Sequence, residues 1–376
     1  MIVLLAAAAL GLGQHEVRTD HTWTCRQKVD LDLVEVKIAR GEREDAVHLR
    51  PGCTGRIGKL VVVQRSGDGV KVAEGVHDLV VGGGSIRCLA KAPDFHQDGI
   101  QVLGGARITF RELTISCGRR DARLVNANLF IKQAGRSRLP PRDVVCESCS
   151  FGGWAAHTVS VQTSVRSGVT GSKICVARFP QFTLTVGDGA SDPRVSGNEV
   201  KQCSPGKLTV EPGPRAVEFG DRLELHGLFL GQLPGARVVA QVRELGTRKF
   251  VHADATHSKH NGRFRLTVRP QIGEIVRLRS GSVHGPILHV HVRPRVVLRR
   301  RGPTLVVKVH AGRSYAGRAV VLQVRRHGRW VGVQRLELRR HSRARFRPTA
   351  HDALVRITVA RTAGYLPAHS DSVRLP

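Results

Sequence analysis

Asp98-Gly99-Ile100-Gln101-Val102 decides the fold, because the chain carries Asp68-Gly69-Val70-Lys71-Val72 one period before it. In each, an Asp-Gly turn pair leads into residues that run apolar, polar, apolar, the pattern of a short strand leaving a tight corner. The cysteines keep the same period. Cys88, Cys117, Cys146 and Cys175 are each 29 residues apart, and Cys203 follows 28 later. A second series, Asp68, Asp98, Asn128 and His157, is spaced 30, 30 and 29. Further β-branched runs lie between these markers, among them Asp78-Leu79-Val80-Val81, Arg107-Ile108-Thr109-Phe110 and Leu113-Thr114-Ile115-Ser116-Cys117. A period of this size held over several turns is the mark of a solenoid, whose units stack because none buries its apolar face alone. With two or three short strands per period, each unit is one coil of a parallel β-helix. Alternation then points Val70, Ile100, Val102 and Ile108 inward and places Lys71, Gln101 and Ser160 on one outer face. Asp68, Asp98, Asn128 and His157 are expected to stack at the turn before that face.

Composition agrees with a β-rich chain. Of 376 residues 41% are hydrophobic, only 4% are aromatic and one is Met, so the cores must be built mainly of Val, Leu, Ile and Ala, residues that favour strands where branched. The apolar run over residues 1–13 is shorter than the roughly 20 residues that span a bilayer and matches the core of a secretory signal, with no membrane span left after its removal. All eight cysteines lie between Cys25 and Cys203, and an even count in an exported chain implies disulfides. Equivalent positions on adjacent coils are about 4.8 Å apart, within reach of a disulfide. The favoured links are Cys25–Cys53, Cys88–Cys117 and Cys175–Cys203, with Cys146 and Cys149 left over. A metal site is the rival reading for the Cys146-Glu147-Ser148-Cys149 pair, but no second pair at zinc-ligand spacing accompanies it, and no metal is assigned. These features predict a secreted or cell-surface protein.

Charge divides the chain. Residues 206–376 hold 33 Lys and Arg against 10 Asp and Glu, a net of +23, out of +30 for the whole. Cys203-Ser204-Pro205-Gly206-Lys207 marks the break. Beyond it the strands lengthen and alternate, as in Arg222-Leu223-Glu224-Leu225-His226-Gly227 and Gly262-Arg263-Phe264-Arg265-Leu266-Thr267-Val268, which means one buried and one wet face. Gly235-Ala236-Arg237-Val238-Val239-Ala240-Gln241-Val242-Arg243 returns 82 residues later as Gly317-Arg318-Ala319-Val320-Val321-Leu322-Gln323-Val324-Arg325, a length that suits one small β-sandwich. Arg299-Arg300-Arg301 and Arg325-Arg326 are dense enough to suggest an anionic partner. Export and the lack of a reader motif disfavour nucleic acid, and an arginine excess from genome composition is the competing account.

The phrases Gly67-Asp68-Gly69-Val70-Lys71-Val72, His96-Gln97-Asp98-Gly99-Ile100-Gln101-Val102 and Ser196-Gly197-Asn198-Glu199-Val200 resemble those of secreted right-handed β-helix proteins of the pectate-lyase-like superfamily, over about Val34 to Cys203. The tail resembles the Ig-like modules that exported bacterial proteins append to such domains. The resemblance implies an all-β chain: a right-handed parallel β-helix followed by two β-sandwich (Ig-like) domains. The expected division is a signal over 1–13, a β-helix with an N-terminal cap over 14–205, and Ig-like sandwiches over 206–294 and 295–376, the last strongly basic. Members of the superfamily include lyases, hydrolases and epimerases of acidic polysaccharides as well as adhesins. Arg138-Leu139-Pro140-Pro141-Arg142 is one residue short of the pectate-lyase R-x-P-x-x-R region, and Asp94-Phe95-His96 lacks the proline of the epimerase D-P-H phrase. Enzyme or not therefore stays open.

The expected site is a file of carboxylates, amides and imidazoles along one sheet face. Asp68, Lys71, Gln101, Asn128 and His157 would contact a sugar chain. Asp94, His96 and Asp98 are the catalytic candidates, with His96 placed to remove the proton beside a uronate carboxyl. Paired carboxylates also suit Ca²⁺. Against this, Asp and Asn recur at such corners because they bond their own backbone. Three functions follow: a carbohydrate-interacting β-helix docked to an anionic wall polymer by Arg299, Arg300, Arg301, Arg325 and Arg326; a lyase or epimerase of acidic polysaccharide; or a non-catalytic structural or adhesive envelope protein. The sequence does not set the oligomeric state.

Overall fold

The computed structural model describes residues 13–38, 44–89, 97–118, 125–133, 137–348 and 351–376. Residues 1–12 of the expected signal, and the candidates Asp94 and His96, lie outside these. The chain is all-β, with 59% strand and 2% helix, and a parallel β-solenoid of about six turns runs over residues 23–201. Two compact units are distinguished: one runs to Gly206 and takes in Leu230–Pro234 and His260–Gly262, and the other holds the remainder.

In the solenoid one seven-stranded sheet stacks Trp23–Cys25, Val47–Leu49, Val70–Val72, Asp98–Val102, Ala127–Ile131, His157–Val161 and Leu184–Val186. The other two sides of each coil begin as long single strands, Lys28–Lys37 and then Thr54–Gln64, and the second pairs with both His77–Val81 and Gly84–Cys88. Val47, Val70, Ile100, Leu129 and Val159 are in register and fully buried, as are Val102 and Ile108. The inward positions read from the alternation are therefore the core, each side chain stabilising the fold by about 1.5–3 kcal/mol. Glycine follows aspartate in two coils because its position has no room: a Cβ on Gly99 would stand 2.5 Å from the Asn128 carbonyl and 2.7 Å from Ile115.

Three disulfides join neighbouring coils, Cys25–Cys53, Cys88–Cys117 and Cys175–Cys203, with Cα separations of 5.3, 4.4 and 5.4 Å. Cys146 and Cys149 bond to each other, which removes the metal alternative there. A corner of the coil carries a second ladder that the sequence reading missed. Asp78, Arg107, Asp143, Arg166 and Asp192 face one another from coil to coil, and each has a positive φ between 46° and 52°. Acid and base alternate along it. Arg107 and Arg166 each donate Nε and Nη2 to both oxygens of Asp78 and Asp143.

The second unit contains two similar arrangements. In the first, Lys207–Val210, Leu223–Leu230 and Arg263–Val268 form a three-stranded sheet. Its buried residues join those of the five-stranded sheet around Arg237–Glu244 and Glu274–Ser280 in one apolar cluster. In the second, Arg295–Arg301, Thr304–His310 and Arg343–Phe346 share a cluster with the sheet around Ala319–Arg326 and Leu354–Val359. The repeat extends to detail. The register shifts between Ala240 and Gln241 and again between Leu322 and Gln323, the 82-residue interval found in the sequence.

Candidate functional site

The stacked polar residues lie at the start of the seven-stranded sheet, two residues before the core file of Val47, Val70, Ile100, Leu129 and Val159. Strand register puts Asp45, Asp68, Asp98, Ala127, His157 and Phe182 in one file. The carboxylate row is thus three coils long and begins one coil earlier than the sequence suggested. Asn128 is not in it. The segment before Ala127 advances the phase by one residue, so Ala127 faces Asp98, and Asn128 takes the inward position of Gly99 in the coil before. There its side chain accepts from the Cys117 amide at 2.8 Å and donates to the Gly152 carbonyl at 2.8 Å. It braces the core there and is buried. His157 is in the file but stacks on Phe182, ring centroids 4.4 Å apart, two coils beyond Asp98.

Each carboxylate does two jobs. Its Oδ1 accepts from the backbone of the next coil: Asp45 from the Asp68 amide at 2.9 Å, Asp68 from the Asp98 amide at 2.7 Å, Asp98 from the Ala127 amide at 2.9 Å. Its Oδ2 meets a side chain on the outer face. Asp45 meets His48 Nε2 at 2.6 Å, and Lys71 Nζ lies between Asp45 at 3.3 Å and Asp68 at 3.5 Å. Asp98 Oδ2 accepts from Gln101 at 3.0 Å, and its Oδ1 also accepts from Asn126 at 2.8 Å. Lys71, Gln101 and Ser160 do share one outer file, but Gln101 is only 9% exposed and Ser160 is fully buried.

Burial separates the three carboxyls electrostatically. Asp68 is pushed up to about 7, by burial first and then by the neighbouring charges of Asp98 and Asp45, against the Asp98 amide and Lys71. Burial pushes Asp98 up to about 6, opposed by the bonds from Asn126, Gln101 and the Ala127 amide. Burial acts the same way on Asp45, but the bonds from His48 and the Asp68 amide, with the charge of Lys71, outweigh it and hold that carboxyl below its usual value. The row therefore contains one firmly ionised acid beside two that titrate near neutrality. The oxygens that the sequence offered to calcium receive these hydrogen bonds and a lysine. Among the described residues no group of three or more His, Cys, Asp or Glu is placed to hold a metal ion.

Asp45, His48 and Asn126 belong to this cluster and were not read from the sequence. Asp45 and His48 precede Asp68 and Lys71 by 23 residues, a short coil that the 29-residue period does not reveal.

The basic candidates are split by the fold. Arg299 and Arg301 point to the outer face of the sheet Arg295–Arg301, Thr304–His310, Arg343–Phe346, whereas Arg300 faces the other way and donates to the Gly302 carbonyl at 3.1 Å. Arg325 and Arg326 are exposed at the end of a different hairpin, Ala319–Arg326 with Arg329–Glu337.

No protein-family model matches the sequence, and no curated protein matches it. Among solved structures the chain is similar to one titled Marsupial T cell receptor, at 14% identity over 47% of this chain and 63% of that one, with a TM-score of 0.21. It thus spans less than two thirds of that structure, and a likeness of this degree carries no argument about fold or function. No helix among the described residues is long and apolar enough to cross a membrane.

Proposed function

We propose that this chain is an exported, cell-surface or extracellular carbohydrate-interacting protein, its solenoid held by disulfides and its basic tail docking it to an anionic polymer. In this reading the solenoid winds right-handed, as crossovers between parallel strands nearly always do, in the manner of the pectate-lyase-like superfamily, and the tail halves are Ig-like. The observation that carries it is the contrast in charge. Residues 206–376 carry +23 of the net +30, and in one sheet there Arg299, Arg301, Lys308, Arg343 and Arg345 have no ion-pair partner among the described residues. Unpaired like charges close together repel, and a polyanion relieves that repulsion. The test is binding of the full chain to polygalacturonate against neutral dextran across a salt series. Equal retention on both, or affinity indifferent to salt, would sink the reading.

A lyase or epimerase of acidic polysaccharide is the second reading. It is favoured by Asp68 and Asp98, whose raised values near 7 and 6 are those a general acid or base needs at neutral pH. Both, however, are nearly or fully closed to solvent and hydrogen-bonded within the coil. An unsaturated, ultraviolet-absorbing product from polygalacturonate or alginate, lost in Asp98→Asn, would establish this reading over the first.

A further inference from the structure

The two halves of the tail present the same kind of three-stranded sheet outward, and they treat its charge in opposite ways. On the first half the outward residues include Glu224 with Arg265 and His226, and Glu211 with Arg263, so that each arginine has an acid within ion-pair reach. On the second half strand pairing sets Arg299 beside Val306 and Arg345, and Val297 beside Lys308 and Arg343. Arg301 continues the row from Arg299, and His310 the row from Lys308. Val296, Leu298, Leu305, Val307, Val309 and Phe346 point the other way into the core, so the cations are all outward. Two acids lie at the margins of this face: Glu218 pairs with Arg295, the outward residue at the start of its first strand, and Glu337 lines the shallow hollow that runs from Arg301 and Arg343 toward Arg339 and Arg340. A second hollow lies between Arg299, Arg301, Lys308, His310 and Arg343. His310 registers the local field. Burial, then Lys308, Arg295, Arg343 and Arg299, hold its imidazole below the usual value.

Resting on the docking role above, we propose that the outer face of the sheet Arg295–Arg301, Thr304–His310, Arg343–Phe346 is the polyanion-binding surface, and that its ligand is a linear polyuronate. Four arginines to one lysine suits carboxylates, whose two coplanar oxygens take the Nε and Nη2 fork. This chain already uses that fork twice, in Arg107–Asp78 and Arg166–Asp143. Arg299 and Arg345 flank the central strand, about 10 Å apart at roughly 4.8 Å per strand, so a chain laid across the sheet meets a cation every second sugar ring or so. The apolar residues between the cations are Val297 and Val306, and among the described residues the face carries no Phe, Tyr or Trp ring on which nucleobases would stack.

The experiment uses the full chain with its disulfides intact and three probes: polygalacturonate, poly(glycerol phosphate) and oligothymidylate. Arg299→Glu with Arg301→Glu and Arg343→Glu should weaken polygalacturonate binding at least tenfold and reduce the salt slope by about 2, at roughly 0.7 per contact for a single-stranded polyanion. Arg325→Glu with Arg326→Glu and Arg329→Glu, on the other hairpin, makes the same charge change and should cost under threefold. Far-ultraviolet circular dichroism checks that both variants fold, and the milder Lys308→Gln should weaken binding by a few-fold. Bound polygalacturonate should also raise the pKa of His310, read from its imidazole resonances. Equal losses from the two triple variants, or a His310 titration unmoved by ligand, overturn the placement while leaving the docking role standing. Tighter binding of either of the other probes overturns the polyuronate. A wild-type chain that binds none of the three overturns the docking role itself.

Discussion

Asp68→Asn should make the solenoid more stable at pH 8, and by a smaller margin at pH 5. Asp68 is 4% exposed, and its carboxyl is pushed up from 3.8 to about 7. A carboxyl raised in this way holds its proton in the folded chain where the unfolded chain has lost it. Its contribution to stability is complete below the unfolded value and is lost as pH climbs through the folded one. Between pH 5 and 7 one such group removes about 1.4 kcal/mol per pH unit, about 3 kcal/mol in all. Asp98, raised to about 6 by burial, acts in the same direction and is coupled to it, so the two losses overlap. Asp45, Asp78 and Asp143 are held low and act with the opposite sign, but only where pH falls through the usual carboxylate range and below. Asparagine keeps the acceptor for the Asp98 amide, a 2.7 Å bond, and cannot ionise. Trp23 and Trp154 are both buried in the solenoid, so Trp330→Phe leaves a fluorescence signal from that unit alone. In that background thermal melts from pH 5 to 8 should show the parent chain losing stability with rising pH and the asparagine variant losing much less. A parent curve that is flat or rises over this window, or a variant that falls in parallel, would refute the account of the row.

Two further outcomes test the frame. Gly99→Ala should destabilise the solenoid by about 1–3 kcal/mol, as overpacking does, because the added carbon meets the Asn128 carbonyl and Ile115. Gly213→Ala, with nothing within 4 Å, is the control in the same melts. Asp143→Arg should lower the melting temperature at low salt by placing three arginines in sequence along the corner, and the loss should shrink at 1 M salt as screening sets in. A loss indifferent to salt would mean that backbone geometry, not charge, fixes that corner.

Much of the solenoid was legible because its constraints are local and periodic. The Asp-Gly pairs report both the amide-capping carboxylate and the missing space beside it, and Val70 and Ile100 recur because each must fill the same core position. The period failed where coil length changed. Between Asp98 and Ala127 the interval is 29, not the 30 that separates Asp68 from Asp98, and a single residue turns an outward side chain inward. That is why Asn128 was misplaced, and the short coil hid Asp45 and His48 in the same way. The corner ladder was invisible for another reason. Its members lie 29, 36, 23 and 26 residues apart, and positive φ leaves no mark on a sequence when the residue is Arg. On the tail, a run of three arginines does not reveal that Arg300 faces opposite to its neighbours until the strand is placed against its core.

The repeat within the tail bears on whether its arginines are mere composition. Both halves carry the same stack on the five-stranded sheet. Arg277 lies over Phe250 at 3.9 Å and donates to Gln241, and Arg356 lies over Trp330 at 4.4 Å and donates to Gln323. With the shared bulge beside Gln241 and Gln323, this makes the two frames equivalent at named positions. In that stack each guanidinium has an amide to bond and a ring face to cover, so arginine there is explained by the fold. On the outward face of the three-stranded sheets the fold makes no such demand. A bias toward arginine in the genome would act on both faces alike and would supply no glutamates. Yet one face holds Glu211 and Glu224 against its arginines, and the other sets Val297 and Val306 among them. The difference lies in the missing acids as well as in the added bases. Folding alone gives no reason to leave them out, since each would relieve repulsion at little cost on an exposed strand. An external anion that takes their place does.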